Sequence, residues 1–264
     1  SGTEYLKSMP MNNELREQLG KVLLDTDAVF SIVLKESKKA ILMMSVKNET
    51  GTELPSTTQI IEKGVVQPWL YEFEGIVSPT ARVSAGATGM GVNVTSPEPD
   101  AVVRKMPVLI RVGDKIYPSM LLENVRLLNK SKRIKVIAKQ HGIDEVLVSK
   151  KAGIPVNHNA EMYINYAEPS MYENISATDI LTDNFDKEKI KGRIIVVGLD
   201  AAGLSVLKYT PHGLTTDQNI SAQALDTFLT GKYLLRTPQA DTYEIVFMAF
   251  LLLLLILVLP RTSV

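Results

Sequence analysis

Fifteen consecutive apolar residues, Ile245 to Leu259, stand just before Pro260-Arg261 near the end of this 264-residue chain. A surface helix keeps a polar face, and this run has none, so it calls for burial in protein or in lipid. As a helix it rises roughly 22 Å, against the roughly 30 Å of a bilayer's hydrocarbon layer. Tyr243 stands where an interfacial aromatic belongs, with Glu244 in the headgroup layer and Asp241 outside it. Uniform apolarity outweighs the short length, and the sequence predicts a transmembrane helix over residues 241–260. Lys232 and Arg236 precede the run and Arg261 follows it, which leaves its orientation unset.

The stretch that hands the chain on to this run is Gly192 to Leu235. Arg193 to Val197 is rich in β-branched residues and lies between two glycines, which predicts a central strand covered on both faces. Ser221 to Leu229 predicts a helix, capped by Asn219 or Ser221 and closed by Gly231. Its apolar stripe is Ala222, Leu225, Phe228 and Leu229.

Upstream, Leu15, Leu19, Val22 and Leu23 mark a helix over 13–24, and Val29, Phe30, Val33 and Leu34 mark another over 27–37, with Asp27 as N-cap. Residues 40–46 read as a buried strand and 48–58 as a polar loop. A short helix is expected near 78–85. Strands are expected at 102–103 and 108–112, with Gly113-Asp114 as a hairpin turn. Pro118 is expected to open a helix whose buried face is Met120, Leu121, Val125 and Leu128. Short strands follow at 134–138, 145–148 and 162–166, then a short helix at 177–181. This alternation predicts an α/β domain with one mixed central sheet flanked by helices, a single domain over 1–236.

Composition excludes some chemistry. With 29 basic and 29 acidic residues the chain has no phosphate-seeking excess, so nucleic acid is not an expected partner. The densest basic cluster, Lys130, Lys132, Arg133 and Lys135, reads as a solvated helix-to-strand turn. The absence of cysteine removes disulfides, iron–sulfur clusters and thiolate zinc. His141, His158 and His212 share no ligand spacing, so no metal and no cofactor is expected. Ser1 stands without an initiator methionine or leader, as in a processed or truncated piece.

Motifs that resemble catalytic or nucleotide signatures fall short. GLDAAGLS after the 192–198 segment has phosphate-loop spacing but lacks the lysine that belongs before Ser205. GATGMG at 86–91 lacks a strand-to-helix setting and reads as a turn. Ser205, Asp200 and His212 form no recognisable nucleophilic set, and no catalytic residue is nominated. Asp200, just past the expected strand, lies where open α/β sheets bind ligands, or else caps a turn.

The chain resembles the type-2 CHASE domain, an extracytoplasmic sensory module of bacterial cyclases and histidine kinases. The similarity rests on an ordered set of motifs: Asp100-Ala-Val-Val-Arg-Lys-Met-Pro, Tyr117-Pro-Ser-Met-Leu-Leu-Glu, Tyr163-Ile-Asn-Tyr, Ser176-Ala-Thr-Asp-Ile-Leu, KGRIIVVG, Tyr209-Thr-Pro-His and SAQALDTFLTGKYLLR. It covers about residues 90–236, and residues 47–78 match poorly. The family carries no ligand set to transfer. The resemblance implies a sensor anchored in the inner membrane, with residues 1–240 outside the cytoplasm and the output domain elsewhere. A homodimer and an unknown small ligand or protein partner are expected. Candidate ligand-binding residues are Asn165, Asp200, Thr210 and His212. Two other classes remain open: a membrane-anchored hydrolase using Asp200 or His212, and a structural dimerisation domain without a small ligand.

Overall fold

The computed structural model describes residues 25–47, 58–96, 98–149, 152–168, 172–201, 205–235 and 240–262. The helix expected over 13–24 and the loop over 48–57 lie outside them. The chain divides into two compact units, one through Tyr233 and one from Leu234.

Among the described residues the first unit opens with α1 (Thr26–Ser37), whose N-cap is Asp25, two residues before the expected Asp27, accepting from Ala28 N at 3.1 Å. Strand β1 (Ile41–Lys47) follows, then β2 (Gln59–Lys63), β3 (Tyr71–Phe73), β4 (Gly75–Val77) and the one-turn helix α2 (Ala81–Ser84). Next come β5 (Gly89–Val92), β6 (Lys105–Pro107), β7 (Leu109–Val112), β8 (Lys115–Pro118) and α3 (Met120–Leu128). Then β9 (Arg133–Lys139), β10 (Gly142–Leu147), β11 (Gly153–Ile154), β12 (Glu161–Tyr163) and α4 (Ala177–Leu181) lead to β13 (Leu207–Thr210), β14 (Gly213–Thr216) and α5 (Asp217–Thr230). The second unit contains α6 (Ala240–Thr262).

The class is mixed α/β, as expected, but the described strands build several small sheets instead of one central sheet. Their orders are β4-β1-β5, β11-β10-β9-β2, β3-β7-β8, β12-β6 and β13-β14. Among the named strands, parallel pairs occur only as single neighbours, β1 with β5, β2 with β9 and β3 with β7; four hairpin pairs and two antiparallel pairs between distant strands, β1 with β4 and β6 with β12, make up the rest. Local antiparallel pairing needs no long crossover, so short strands satisfy their backbones in small groups.

The β7–β8 hairpin, turning at Gly113-Asp114 as expected, separates two apolar cores. Leu109 and Ile116 face the larger core with Leu122, Val136 and Met162, while Ile110, Val112 and Tyr117 face the smaller one with Met44 and Val92. This is the period of two that a strand covered on both sides requires. Pro118 does not open α3; it closes β8, and Ser119 caps the helix by accepting from Leu122 N at 3.2 Å. Leu121, Leu122 and Val125 are the buried apolar face of α3, and Leu128 is half exposed. Gly91 explains part of GATGMG: a Cβ there would meet Met120 Cα at 2.6 Å, so β5 approaches the start of α3 through bare backbone. That glycine run belongs to packing.

Glu161 joins β12 to its surroundings. Almost fully buried, it accepts from Asn157 Nδ2 at 2.6 Å, Tyr71 OH at 3.1 Å and Lys105 Nζ at 3.2 Å. Burial alone would push its carboxyl up, but the polar groups of Ser96 and Asn157 and the Lys105 ammonium outweigh it and hold it below the usual 4.5. A carboxyl lower in the folded than in the unfolded chain stabilises above the unfolded value, and that stability is lost as pH falls through the folded one. Urea midpoints measured from neutral pH downward should therefore drop below about pH 4.5, and Glu161→Gln should flatten this acid limb. An unchanged limb in the variant rules Glu161 out as its source.

Three further expectations find no support. Residues 193–199 form no strand and pair with no neighbour among the described residues; Ile195 is 57% exposed, Val197 90% and Leu199 66%. β-branched residues favour extended backbone, but only a neighbouring strand turns that into a sheet, and here the segment's visible tether is Gln218 Nε2 donating to Leu199 O at 2.8 Å. Residues 102–103 make one bridge, Val102 with Tyr209, and no strand. The membrane expectation is also unsupported: among the described residues no helix is long and apolar enough to cross a membrane. The apolar run inside α6 stops at fifteen residues, and its described side chains from Ile245 to Val258 are exposed on every face.

Candidate functional site

Helix α5 builds the candidate site. It starts one turn before the expected Ser221, and Gly231 ends it in the left-handed conformation (φ 68°) as expected. Its buried face matches the expected stripe in part: Leu225 is buried and Phe228 packs against the core, while Leu229 is half exposed. Ile220, Gln223, Ala224 and Thr227, at i, i+3, i+4 and i+7, complete the buried face. Two polar side chains thus occupy core positions, and each has a reason to be there.

Both hold the segment that follows β12. The Gln223 amide accepts from Ala167 N (2.9 Å) and from Tyr172 OH (2.9 Å), and donates to Ala167 O (3.3 Å). Thr227 Oγ1 accepts from Asn165 N at 3.0 Å. The amide thus copies a strand partner, giving residues 165–167 the ladder contacts they would otherwise lack. Tyr166 OH donates to Val103 O at 2.9 Å, and Val103 N donates to Tyr209 O at 2.8 Å, which ties β13 into the same wall.

Between this wall, the β13–β14 hairpin and α5 lies a cavity of about 140 Å³. Tyr166, Tyr172, Thr210, His212, Asn219 and Gln223 contribute to its lining, and among the described residues no Asp, Glu, Lys or Arg does. His212 sits at the hairpin tip, its ring 6.3 Å from that of Tyr166 at 31°. Thr210 Oγ1 donates to Gly213 O at 2.8 Å and accepts from His212 N at 3.3 Å, which fixes that tip. Burial, reinforced by nearby Asp226, pushes Tyr172 up to about 12, and burial pushes Tyr166 up as well. Both phenols therefore stay protonated hydrogen-bond donors, unsuited to proton transfer at neutral pH.

Of the four candidate residues, the structure brings Thr210 and His212 into the cavity. Asn165 stands beside it, holding α5 through its backbone. Asp200 is absent from the lining and lies at the end of the exposed 193–201 segment. Ser205 Oγ donates to Ala201 O at 3.2 Å, so the imagined Ser205–Asp200–His212 set is not gathered around this cavity. Among the described residues no group of three or more His, Asp or Glu side chains is placed to hold a metal. Sequence reasoning missed Gln223, Asn219 and Tyr172. The signal for Gln223 was its spacing of three from Ile220 and four from Thr227, which put it on the inner face of α5.

A CHASE2 domain model matches residues 6–258. The chain belongs to the CHASE2 family. No curated protein and no solved structure matches it. CHASE2 domains are sensory modules of signalling proteins, not catalysts, and they typically stand outside the cytoplasm in membrane proteins.

Proposed function

We propose that this CHASE2 domain is the extracytoplasmic input of a membrane-bound bacterial signalling protein, a cyclase or a histidine kinase, and that the cavity on α5 receives its stimulus. The observation that carries this reading is the double use of α5. Asn219 and Gln223 line the cavity, and the same helix ends at Gly231, nine residues before α6 begins. A ligand that competes for the Gln223 amide shifts the balance between two arrangements of residues 165–172 against α5. The helix carries that bias toward α6.

In this reading α6 lodges in lipid. Its apolar side chains are exposed from Ile245 to Val258, and apolar surface left in water costs about 25 cal/mol per Å². Acyl chains remove that cost, with Tyr243 at the interface. The full-length parent tests both parts. It should sediment with membranes and resist carbonate extraction, whereas deletion of residues 240–262 should weaken that association. A flexible Gly-Ser insertion after Arg236 should uncouple stimulus from output while leaving ligand binding intact. Unchanged signalling by the insertion variant would sink the relay.

A further inference from the structure

The cavity's lining goes further than a sensory role and names a ligand chemistry. We propose that it takes a small, uncharged, polyhydroxylated molecule, a single sugar or cyclic polyol. The inference rests on the reading of this cavity as the input site.

Charge is the first argument. Among the described residues, no ionisable side chain other than His212 and the two phenols lines the cavity, so an ionic ligand would give up its hydration without a countercharge. Charges that flank lining residues are engaged: Asp226 faces the Tyr172 hydroxyl, Lys189 Nζ pairs with Glu173 Oε1 at 2.5 Å, and Lys208 Nζ pairs with Asp217 Oδ1 at 2.7 Å.

The second argument is the kind of hydrogen-bonding groups left over. Asn219 Nδ2 donates to Thr215 Oγ1 at 3.1 Å, which leaves its Oδ1 as an acceptor without a partner among the described residues. The Asn174 amide and the His212 imidazole likewise form no hydrogen bond with described residues. These groups together offer donors and acceptors side by side. A hydroxyl is both at once, and satisfies such a mixed set without ionising. A carboxylate only accepts and an ammonium only donates, so each leaves part of the set unsatisfied.

Shape is the third. The Tyr166 and His212 rings, tilted by 31°, give the mouth an aromatic wall against which the C–H face of a sugar ring can lie. A volume of about 140 Å³ limits the occupant to one small ring.

The test uses the whole chain in a zwitterionic detergent without a sugar headgroup. Glucose, ribose and myo-inositol are titrated by calorimetry and by thermal shift, against gluconate and glucosamine as charged counterparts and adenine as a flat neutral control. At least one neutral polyol should bind, with both charged counterparts weaker by tenfold or more. Asn219→Leu and His212→Ala should each weaken that binding at least tenfold; Asn219 is only partly buried and His212 is exposed, and unliganded melting temperatures control for folding. Binding of none of the three polyols overturns the proposal, as does a preference for adenine, gluconate or glucosamine. If a charged probe wins and Asn219→Leu abolishes it, the ligand class falls while the input site stands. If a polyol binds equally well to both variants, the site itself is wrong.

Discussion

Replacing Glu123 by alanine should destabilise the domain by about 3–5 kcal/mol, the usual cost of leaving a buried charge without its partner. Glu123 is 0% exposed and accepts from Arg126 Nη2 at 2.6 Å, Arg126 Nε at 2.9 Å and Thr58 Oγ1 at 2.9 Å. Arg126, itself 7% exposed, reaches on to Ser131 O at 2.5 Å, so its guanidinium cannot follow the lost carboxylate into water without abandoning the end of α3. The melting temperature should fall by roughly 2–4 °C per kcal/mol for a domain of this size. The double variant Glu123→Leu with Arg126→Met should recover most of the loss, because it removes both charges together. Urea unfolding of the three proteins decides the matter, and a mild loss in Glu123→Ala would show that the pair is better hydrated than its burial implies.

Gln223→Leu has the second largest expected effect, about 2–3 kcal/mol. Leucine keeps the volume on the inner face of α5 but removes the acceptor for Ala167 N and Tyr172 OH and the donor to Ala167 O. Buried backbone groups without partners cost more than the hydrogen bonds themselves contribute. The wall formed by residues 165–172 should loosen, which faster amide hydrogen exchange at Ala167 would report. Gln223→Glu at neutral pH keeps the acceptors and loses the donor, so it should fall between wild type and leucine. Equal exchange in all three proteins would mean that Gln223 does not hold this wall.

Local features were legible in the sequence. The Gly113-Asp114 turn, the strand at 41–47, the one-turn helices near 81 and 177 and the Gly231 cap each depend on neighbours along the chain, and they stand where those neighbours put them. The ordered motifs from Asp100 to Arg236 identified the family. The sheets were not legible, because their pairing depends on contacts between distant strands, such as β2 with β9. Half of the candidate site was legible. Thr210 and His212 lie in a short motif at a turn, whereas Gln223 does its work as a polar residue inside an apolar face. Periodicity counts of apolar residues alone pass over such a residue. Asp200 was chosen on the premise of a central strand ahead of it, and without that strand the reason for choosing it disappears.

The unpaired segment from Arg193 to Leu199 has a consequence for how this protein survives as a molecule among its own copies. Ile194 to Val197 combines high strand propensity, no net charge and an exposed backbone, the composition from which chains nucleate cross-β stacks. What bounds it is a pair of gatekeepers, Arg193 on one side and Asp200 on the other, with Gly198 breaking the run between them. Stacking copies in register would set arginine on arginine and aspartate on aspartate at every step. The two charges thus oppose self-assembly of this stretch.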